Sequence, residues 1–249
     1  MTVLVGGVGQ LYQGDLDIGR RAVDALAEMS LGPDVVIEEL HYGAIAVVQR
    51  LEDLDPDELI IVGAAQRGEN PGSVWRRRVH QLQLPTDRVA ESVRDAVTGY
   101  VTIDLLVEVA SGLGALSGRT VAIEVEPLWT EASSDLSPAG AAALDVVVRM
   151  VAREVELVPL FDLVERLREL TGRGGFGPAP ALQTARELLG ELDTFDEAGC
   201  WGATFALRDR LRDRISRGHA LQGMDHLDWG LLWALIAELD RCQQWEITG

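Results

Sequence analysis

Short apolar segments alternate with amphipathic helical segments over about the first 155 residues, and this alternation constrains the fold more than any other feature of the sequence. Residues 2–8, 35–40, 59–62 and 120–125 are short and rich in branched apolar side chains, which is typical of buried strands. Helices are predicted over 17–29, 44–51 and 102–111, and from 137 to about 155. Strands that alternate with helices favour a sheet covered on both faces. We therefore predict an α/β fold of three layers with a mostly parallel central sheet.

A further strand is predicted over residues 74–82, which contain three consecutive arginines, Arg76–Arg78. Arginine is costly to bury unless it is paired. The pattern therefore predicts a strand at the edge of the sheet with its guanidinium groups in solvent, where charge discourages the addition of another strand.

The composition changes at residues 171–180, which contain four glycines and two prolines. Such a segment is typical of a linker or an ordered hinge. Beyond it the pattern indicates only helices, over 181–192, 201–216 and 226–245. The predicted organisation is an α/β domain over 1–170, a linker over 171–180 and a helical annex over 181–249.

The charge of the chain excludes several classes of function. All 22 basic residues are arginine, against 40 acidic ones, which gives a net charge of −18. Without lysine there is neither a P-loop lysine nor a Schiff-base lysine. So acidic a chain does not bind nucleic acid or anionic membranes through its overall charge. With two cysteines, no signal-peptide pattern and no long apolar stretch, we expect a cytoplasmic protein without membrane spans.

A glycine-rich turn, Gly6–Gly9, follows the first predicted strand and precedes a helix. This order is also found in dinucleotide-binding folds, where glycines let a pyrophosphate approach the helix N-terminus. The later glycines, Gly14 and Gly19, do not have the spacing of that motif. The pattern favours a tight turn, and a small-ligand binding module remains an alternative.

Two carboxylates, Asp15 and Asp17, lie between Gly14 and Gly19. Such a pair can bind a metal ion or cap a helix. From the spacing alone, one capping aspartate and one solvated aspartate are favoured.

The opening segment VLVGGVGQLYQGDLDIGRRAVDAL resembles the start of the [NiFe]-hydrogenase maturation endopeptidases, in which a Gly-Val-Gly turn is followed by an Asp-Glu-x-x-Gly motif and a helix. Further matching pieces follow in the family's order. They are residues 57–62, Asn70-Pro71-Gly72, 103–106, 121–127 and 136–138. The resemblance covers about residues 1–155 and implies the same α/β fold.

The resemblance also implies a metal site, held in that family by a glutamate, an aspartate and a histidine. The matching positions here are Leu16 and Gly63, and residues 96–101 contain no histidine. The family's recognition motif, Asp-Gly-Gly-Thr, is replaced by residues 41–44, His-Tyr-Gly-Ala. Leucine and glycine side chains cannot ligate a metal ion. We therefore predict a protein with no catalytic residues and no cofactor.

A divergent metal-dependent endopeptidase remains an alternative. Asp15, Asp17 and His41 follow the first two predicted strands, and the carboxyl ends of parallel strands meet at one edge of a sheet. In this alternative the three side chains form a relocated site for nickel or zinc.

The resemblance implies a protein partner, the [NiFe]-hydrogenase large subunit or its precursor. The only tyrosines of the chain, Tyr12, Tyr42 and Tyr100, lie in or beside the loops predicted at this edge. Tyrosine offers a large apolar face with one polar group and is favoured at interfaces. We therefore predict that these three residues bind the partner, as part of an accessory or assembly factor.

Overall fold

The fold is given by a computed structural model that describes residues 1–96 and 101–172, together with 187, 189–190, 208–213, 230–237 and 239. The chain divides into two compact units, Met1–Val155 and Glu156–Gly249.

The first unit contains one five-stranded sheet. Its strands are β1 (Val3–Gly7), β2 (Val35–Glu39), β3 (Glu58–Ala64), β4 (Val74–Val79) and β5 (Thr120–Val125). Their order across the sheet is β2-β1-β3-β5-β4. The pairs among β2, β1, β3 and β5 are parallel, and β4 is antiparallel to β5. The mostly parallel sheet and the edge position of β4 are both as predicted.

Five helices accompany the sheet. They are α1 (Ile18–Ala27), α2 (Ala44–Leu54), α3 (Thr86–Ala96), α4 (Ile103–Leu113) and α5 (Pro138–Gly172), and a 3-10 turn at Gly14–Asp17 leads into α1. Thr102 caps α4, because its hydroxyl accepts a hydrogen bond from the Leu105 N–H at 3.2 Å. The sequence did not predict α3, and α5 extends well beyond its predicted end near 155.

The sheet is covered on both faces. On one face, Leu4, Leu59 and Ile61 share a buried cluster with Val47 of α2 and Leu106 of α4. Alternate strand residues point to opposite faces, so Gly7 lies on the other face. There a Cβ atom on Gly7 would come within 2.5 Å of Val23 in α1. The molecule therefore has the three layers that the alternation predicted.

The start of α1 lies directly on the sheet. A Cβ atom on Gly19 would be 2.1 Å from the Val8 carbonyl oxygen and 2.4 Å from the Val62 carbonyl oxygen. Only glycine allows the helix backbone to approach two strands this closely. This contact fixes the segment that carries Asp15 and Asp17 against the carboxyl ends of β1 and β3.

The second unit begins within α5. Its apolar side chains Leu157, Leu160, Val164 and Leu167 are buried in one cluster with residues of the later helical stretches, namely Leu189, Leu211, Leu232, Leu235, Ile236 and Leu239. The predicted boundary at residue 170 falls inside α5, and residues 173–180 of the predicted linker lie outside the described residues. No helix in the described part of the chain is both long and apolar enough to cross a membrane.

Candidate functional site

The carboxyl ends of β1, β2, β3 and β5 form one edge of the sheet, where open α/β folds place their binding sites. Hydrogen bonds join the segments that leave the strands there. The Leu40 N–H donates to the Gly7 carbonyl at 2.8 Å, and the Ala65 N–H donates to the Val125 carbonyl at 3.0 Å. We call this region the carboxyl edge.

Gly63, one of the two degenerate ligand positions, is buried at the end of β3. A Cβ atom there would lie 2.8 Å from the Val8 carbonyl oxygen and 3.2 Å from Cδ1 of Ile103 in α4. The space that a longer side chain needs is thus occupied by backbone and by a buried isoleucine. A side chain at this position would have to displace that backbone or the isoleucine.

Leu16, the other degenerate position, is half-buried in the turn before α1. Its carbonyl oxygen accepts a hydrogen bond from the Gln10 N–H at 2.9 Å, so its backbone serves the fold of the loop. The third ligand was expected within 96–101, of which residues 97–100 lie outside the described residues.

Asp15 is fully buried and bonded to the loop that precedes α5. Its carboxylate accepts from the N–H groups of Leu128 and Trp129 at 2.8 and 3.0 Å, and from the N–H and hydroxyl of Ser137 at 2.7 Å each. Burial raises the pKa of Asp15, but the donors of Trp129, Ser137 and Leu128 outweigh it and lower the pKa below its ordinary value. The carboxylate therefore acts as an ionised acceptor that joins two loops.

Asp17 is also buried, but it pairs with the helix that it precedes. Arg20 donates two hydrogen bonds to its carboxylate, at 2.6 and 2.8 Å, and Arg21 donates a third at 3.1 Å. Arg21 also donates to the Ser134 carbonyl at 2.7 Å. Asp17 and the two arginines thus tie the start of α1 to the loop before α5.

His41, the third residue of the predicted relocated site, lies after β2. Its Nδ1 is 2.8 Å from a Glu39 carboxylate oxygen, although the angle is too poor for a hydrogen bond. Among the described residues, no group of three His, Cys, Asp or Glu side chains is arranged to hold a metal ion. The structure therefore gives Asp15 and Asp17 partners within the protein, and the relocated site stays a prediction.

An arginine–carboxylate network that sequence reasoning missed lies beside Gly63. Glu124 of β5 is the register partner of Gly63 and is 3 % exposed. Arg67 donates to Glu124 through Nε and Nη2 at 2.9 Å and to Asp104 of α4 at 2.8 Å, while Arg77 donates to Glu124 through Nε at 3.0 Å. The network links β5 to the first turn of α4.

The arginines of this network stabilise the ionised forms of its carboxylates. The hydrogen bond from Arg67 lowers the pKa of Asp104, against the effect of burial. For Glu124, burial raises the pKa, but Arg67 and Arg77 together bring it below its ordinary value. The interval of 57 residues between Arg67 and Glu124 explains why sequence spacing gave no signal for the pair.

Arg76 corrects the prediction of a fully solvated arginine edge. Its side chain is 4 % exposed and donates to Glu154 of α5 at 2.6 and 2.8 Å. Arg77, which is 41 % exposed, faces the other side of the sheet. The edge position of β4 was predicted for the wrong reason, because two of its arginines are paired with carboxylates.

The predicted partner-binding tyrosines are exposed where they are described. Tyr12 is 70 % exposed and Tyr42 is 47 % exposed, and Tyr100 lies outside the described residues. The pKa of Tyr42 is raised by burial and by Glu38, against a smaller opposite effect of Arg50. Tyr12 and Tyr42 thus present aromatic surface on loops of the carboxyl edge.

Solved structures similar to this chain are hydrogenase maturation endopeptidases, over about 62% of the chain. A hydrogenase 2 maturation peptidase from a Thaumarchaeota archaeon is 27% identical, with 62% of this chain and 98% of that chain covered and a TM-score of 0.45. HybD from E. coli is 25% identical, with 61% and 90% covered and a TM-score of 0.44. The HycI protease from Thermococcus kodakarensis is 19% identical, with 62% and 91% covered and a TM-score of 0.42.

No family model and no curated protein matches the chain. Because the TM-scores all lie below 0.5, we base the functional proposal on this chain's own residues.

Proposed function

We propose that this protein is a hydrogenase-maturation-protease-like factor that has lost catalysis and binds a [NiFe]-hydrogenase large subunit or its precursor. It serves in this view as an accessory or assembly factor in the cytoplasm. The partner comes from the resemblance of residues 1–155, and the loss of catalysis comes from the geometry of the carboxyl edge.

The packing around Gly63 carries the proposal. Backbone and Ile103 occupy the volume beside this position, so a carboxylate cannot be placed there without moving β1 or α4. Beside it, Arg67 bonds to both Glu124 and Asp104, so protein side chains already link β5 to α4. The resemblance implies a metal ion at this edge in the maturation endopeptidases, and the crowding around Gly63 supports the loss of that ion here.

Docking requires different groups from cleavage. Asp15 still holds the loop before α5 against the turn before α1, and Tyr12 and Tyr42 are exposed on neighbouring loops of this edge. These features support the proposal that the carboxyl edge keeps a surface for binding a partner although catalysis is lost.

Metal content tests the loss of chemistry. Elemental analysis after extensive dialysis against a weak chelator should find nickel and zinc far below one ion per chain. One tightly held ion per chain that is lost in His41→Ala, with the fold retained, would support the divergent endopeptidase instead. His41→Ala is informative because the imidazole is partly exposed and lies outside the buried core.

Capture of the precursor tests the binding role. The purified chain should bind a [NiFe]-hydrogenase large-subunit precursor from its own host, and Tyr12→Ala, Tyr42→Ala and Tyr100→Ala should each weaken binding by about 1–2 kcal/mol. Trp75→Ala is the matched control, because Trp75 is an exposed aromatic residue on edge strand β4. Unchanged affinity in all three tyrosine variants would remove the binding role.

The small-ligand alternative receives less support. The turn glycine Gly6 is required for packing within the protein, because a Cβ atom there would lie 2.1 Å from Leu40. A thermal-shift screen with nucleotides tests this alternative, and we expect no shift.

A further inference from the structure

Four large apolar side chains are exposed on two segments of the carboxyl edge. They are Leu11, Tyr12, Leu128 and Trp129, and we call their surface the loop face. Trp129 is 43 % exposed, although its backbone is bonded to buried Asp15. Scattered exposed apolar residues are common, but four on two adjoining segments indicate an interaction surface.

Hydrogen bonds hold the two segments together. The Ser133 N–H donates to the Tyr12 carbonyl at 2.9 Å, the Gly14 N–H donates to the Ser133 carbonyl at 3.1 Å, and the Asp15 N–H donates to the Trp129 carbonyl at 2.8 Å. The loop face is thus ordered before anything binds, which lowers the entropic cost of association.

Tyr12 has a left-handed backbone, with φ of 61°. This conformation is unfavourable for a bulky side chain, and such strain is concentrated at functional sites. The phenol ring lies outside the core, where it is 70 % exposed. Selection for folding alone would favour glycine or asparagine at this position.

A cavity of about 390 Å³ opens on the loop face. It is lined by Leu128, Trp129, Thr130, Glu131, Ala132 and Ser133. Glu131 is exposed, and so is nearby Asp135, and neither carboxylate forms an ion pair with the described residues. An indole beside a free carboxylate suits a guanidinium group, which stacks on the ring and pairs with the acid.

We propose that the loop face docks a partner protein through an arginine side chain that enters this cavity, while apolar residues of the partner cover Leu11 and Tyr12. The partner is basic at the point of contact, since the cavity is acidic and the chain has a net charge of −18. A second copy of this chain would bring like charges together. The identification of the partner as a hydrogenase large subunit rests on the proposed function.

Affinity measurements with the purified large-subunit precursor test the docking mode. Trp129→Ala and Glu131→Arg should each weaken binding by about 10-fold or more. Glu131→Arg should also flatten the dependence of affinity on salt concentration. Trp75→Ala should leave the affinity unchanged. Unchanged affinity in both loop-face variants, with wild-type binding intact, overturns the proposal.

Two substitutions to glycine separate the relief of backbone strain from a general loss of stability. Tyr12→Gly should lose affinity while its melting temperature stays the same or rises, because the left-handed backbone no longer carries a side chain. Asp55→Gly is the matched control, since Asp55 has φ of 44° at the end of α2 and should relieve similar strain without loss of affinity. Equal affinity in Tyr12→Gly and wild type contradicts a role for the ring.

A precursor that does not bind the wild-type chain refutes the proposed function but leaves the loop face open to a separate test. Photo-crosslinking from position 129 in host cells, with position 75 as the control, then identifies what contacts the surface. The docking mode is supported if one protein crosslinks only from position 129. That protein, once purified, should bind the Glu131→Arg variant about 10-fold more weakly than it binds the wild-type chain. A crosslink to a second copy of this chain, or none, overturns it.

Discussion

The Asp15 carboxylate accepts hydrogen bonds from both the backbone N–H and the hydroxyl of Ser137, which follows it by 122 positions. The same hydroxyl accepts from the Gly140 N–H at 2.9 Å, inside the first turn of α5. Asp15 therefore fixes the start of α5 as well as the loop before it. Asp15 matches the aspartate of the resembling motif, and here it has a structural role. The resemblance gives metal binding to the glutamate of that motif, whose position is Leu16 in this chain.

Asp15→Ala should destabilise the first unit by about 3 kcal/mol or more, because four donors, two of them fully buried, lose a charged acceptor. Asp135→Ala is the control and should change the free energy of unfolding by less than about 0.5 kcal/mol, since its side chain is exposed. Urea denaturation measures both. Equal stability of the two variants would contradict the role of Asp15.

The same contact predicts a pH dependence. The folded-state pKa of Asp15 lies below its ordinary value of 3.8, so its contribution to stability is complete above that value and is lost as the pH falls through the lower, folded pKa. The difference in stability between wild type and Asp15→Asn should therefore narrow between about pH 5 and about pH 2. If the stability difference between the two proteins widens as the pH falls, folding does not lower the pKa of Asp15.

The buried pair Arg76–Glu154 gives a second test. Glu154→Gln leaves a charged guanidinium in a site where both side chains are less than 5 % exposed, and should cost about 3–5 kcal/mol. The double variant Arg76→Met with Glu154→Leu should recover most of this loss, because it removes both charges and keeps the volume. Chemical denaturation of the single and double variants checks this. A double variant that is no more stable than Glu154→Gln would mean that the unpaired guanidinium is not the source of the loss.

Restoring the family's acids should not restore a metal site. Leu16→Glu with Gly63→Asp should bind neither nickel nor zinc in calorimetry, and Gly63→Asp alone should cost about 1–3 kcal/mol of stability, since its Cβ meets Val8 and Ile103. Gly118→Asp is the matched control, because nothing lies within 4 Å of a Cβ there. Stoichiometric metal binding by the double variant would show that the edge still accepts a ligand side chain.

Truncation tests the two units. The fragment 1–155 should unfold cooperatively, since the sheet and α1 to α4 are complete by Val155 and, of the helices that accompany the sheet, the cut removes only the later part of α5. The fragment 1–170 should also fold but should self-associate in gel filtration, because it exposes apolar residues of α5 that are buried in the full chain, such as Leu157 and Leu160. A molten 1–155 fragment would place the boundary further along the chain.

Much of the fold was predictable because the four parallel strands are short and rich in branched apolar side chains. Helix α3 was missed because few of its residues are apolar, and its contacts come from α4. Ser92 donates to Glu108 at 2.6 Å, and Val89 packs close to Gly112. Helix α5 continues past its predicted end because Leu157, Leu160 and Val164 are buried by residues far along the chain. Tertiary contacts of this kind leave little trace in local periodicity.

The topology of the sheet predicts that Leu16 and Gly63 lie at one edge, because the carboxyl ends of parallel strands meet there. That these positions lack metal ligands stays a prediction from their side chains. The network of Arg67, Glu124 and Asp104 was not predictable, because it depends on pairs far apart in sequence. For the same reason the burial of Arg76 was not foreseen, since Glu154 is 78 positions away.

Native mass spectrometry of the chain mixed with a [NiFe]-hydrogenase large-subunit precursor, with and without added nickel, tests the central claim most directly. We expect a complex whose mass equals that of this chain plus the intact precursor, with no shortened precursor after prolonged incubation and no bound nickel on this chain. A precursor shortened by this chain in the presence of nickel would refute the loss of catalysis and show that the carboxyl edge is a metal-dependent active site.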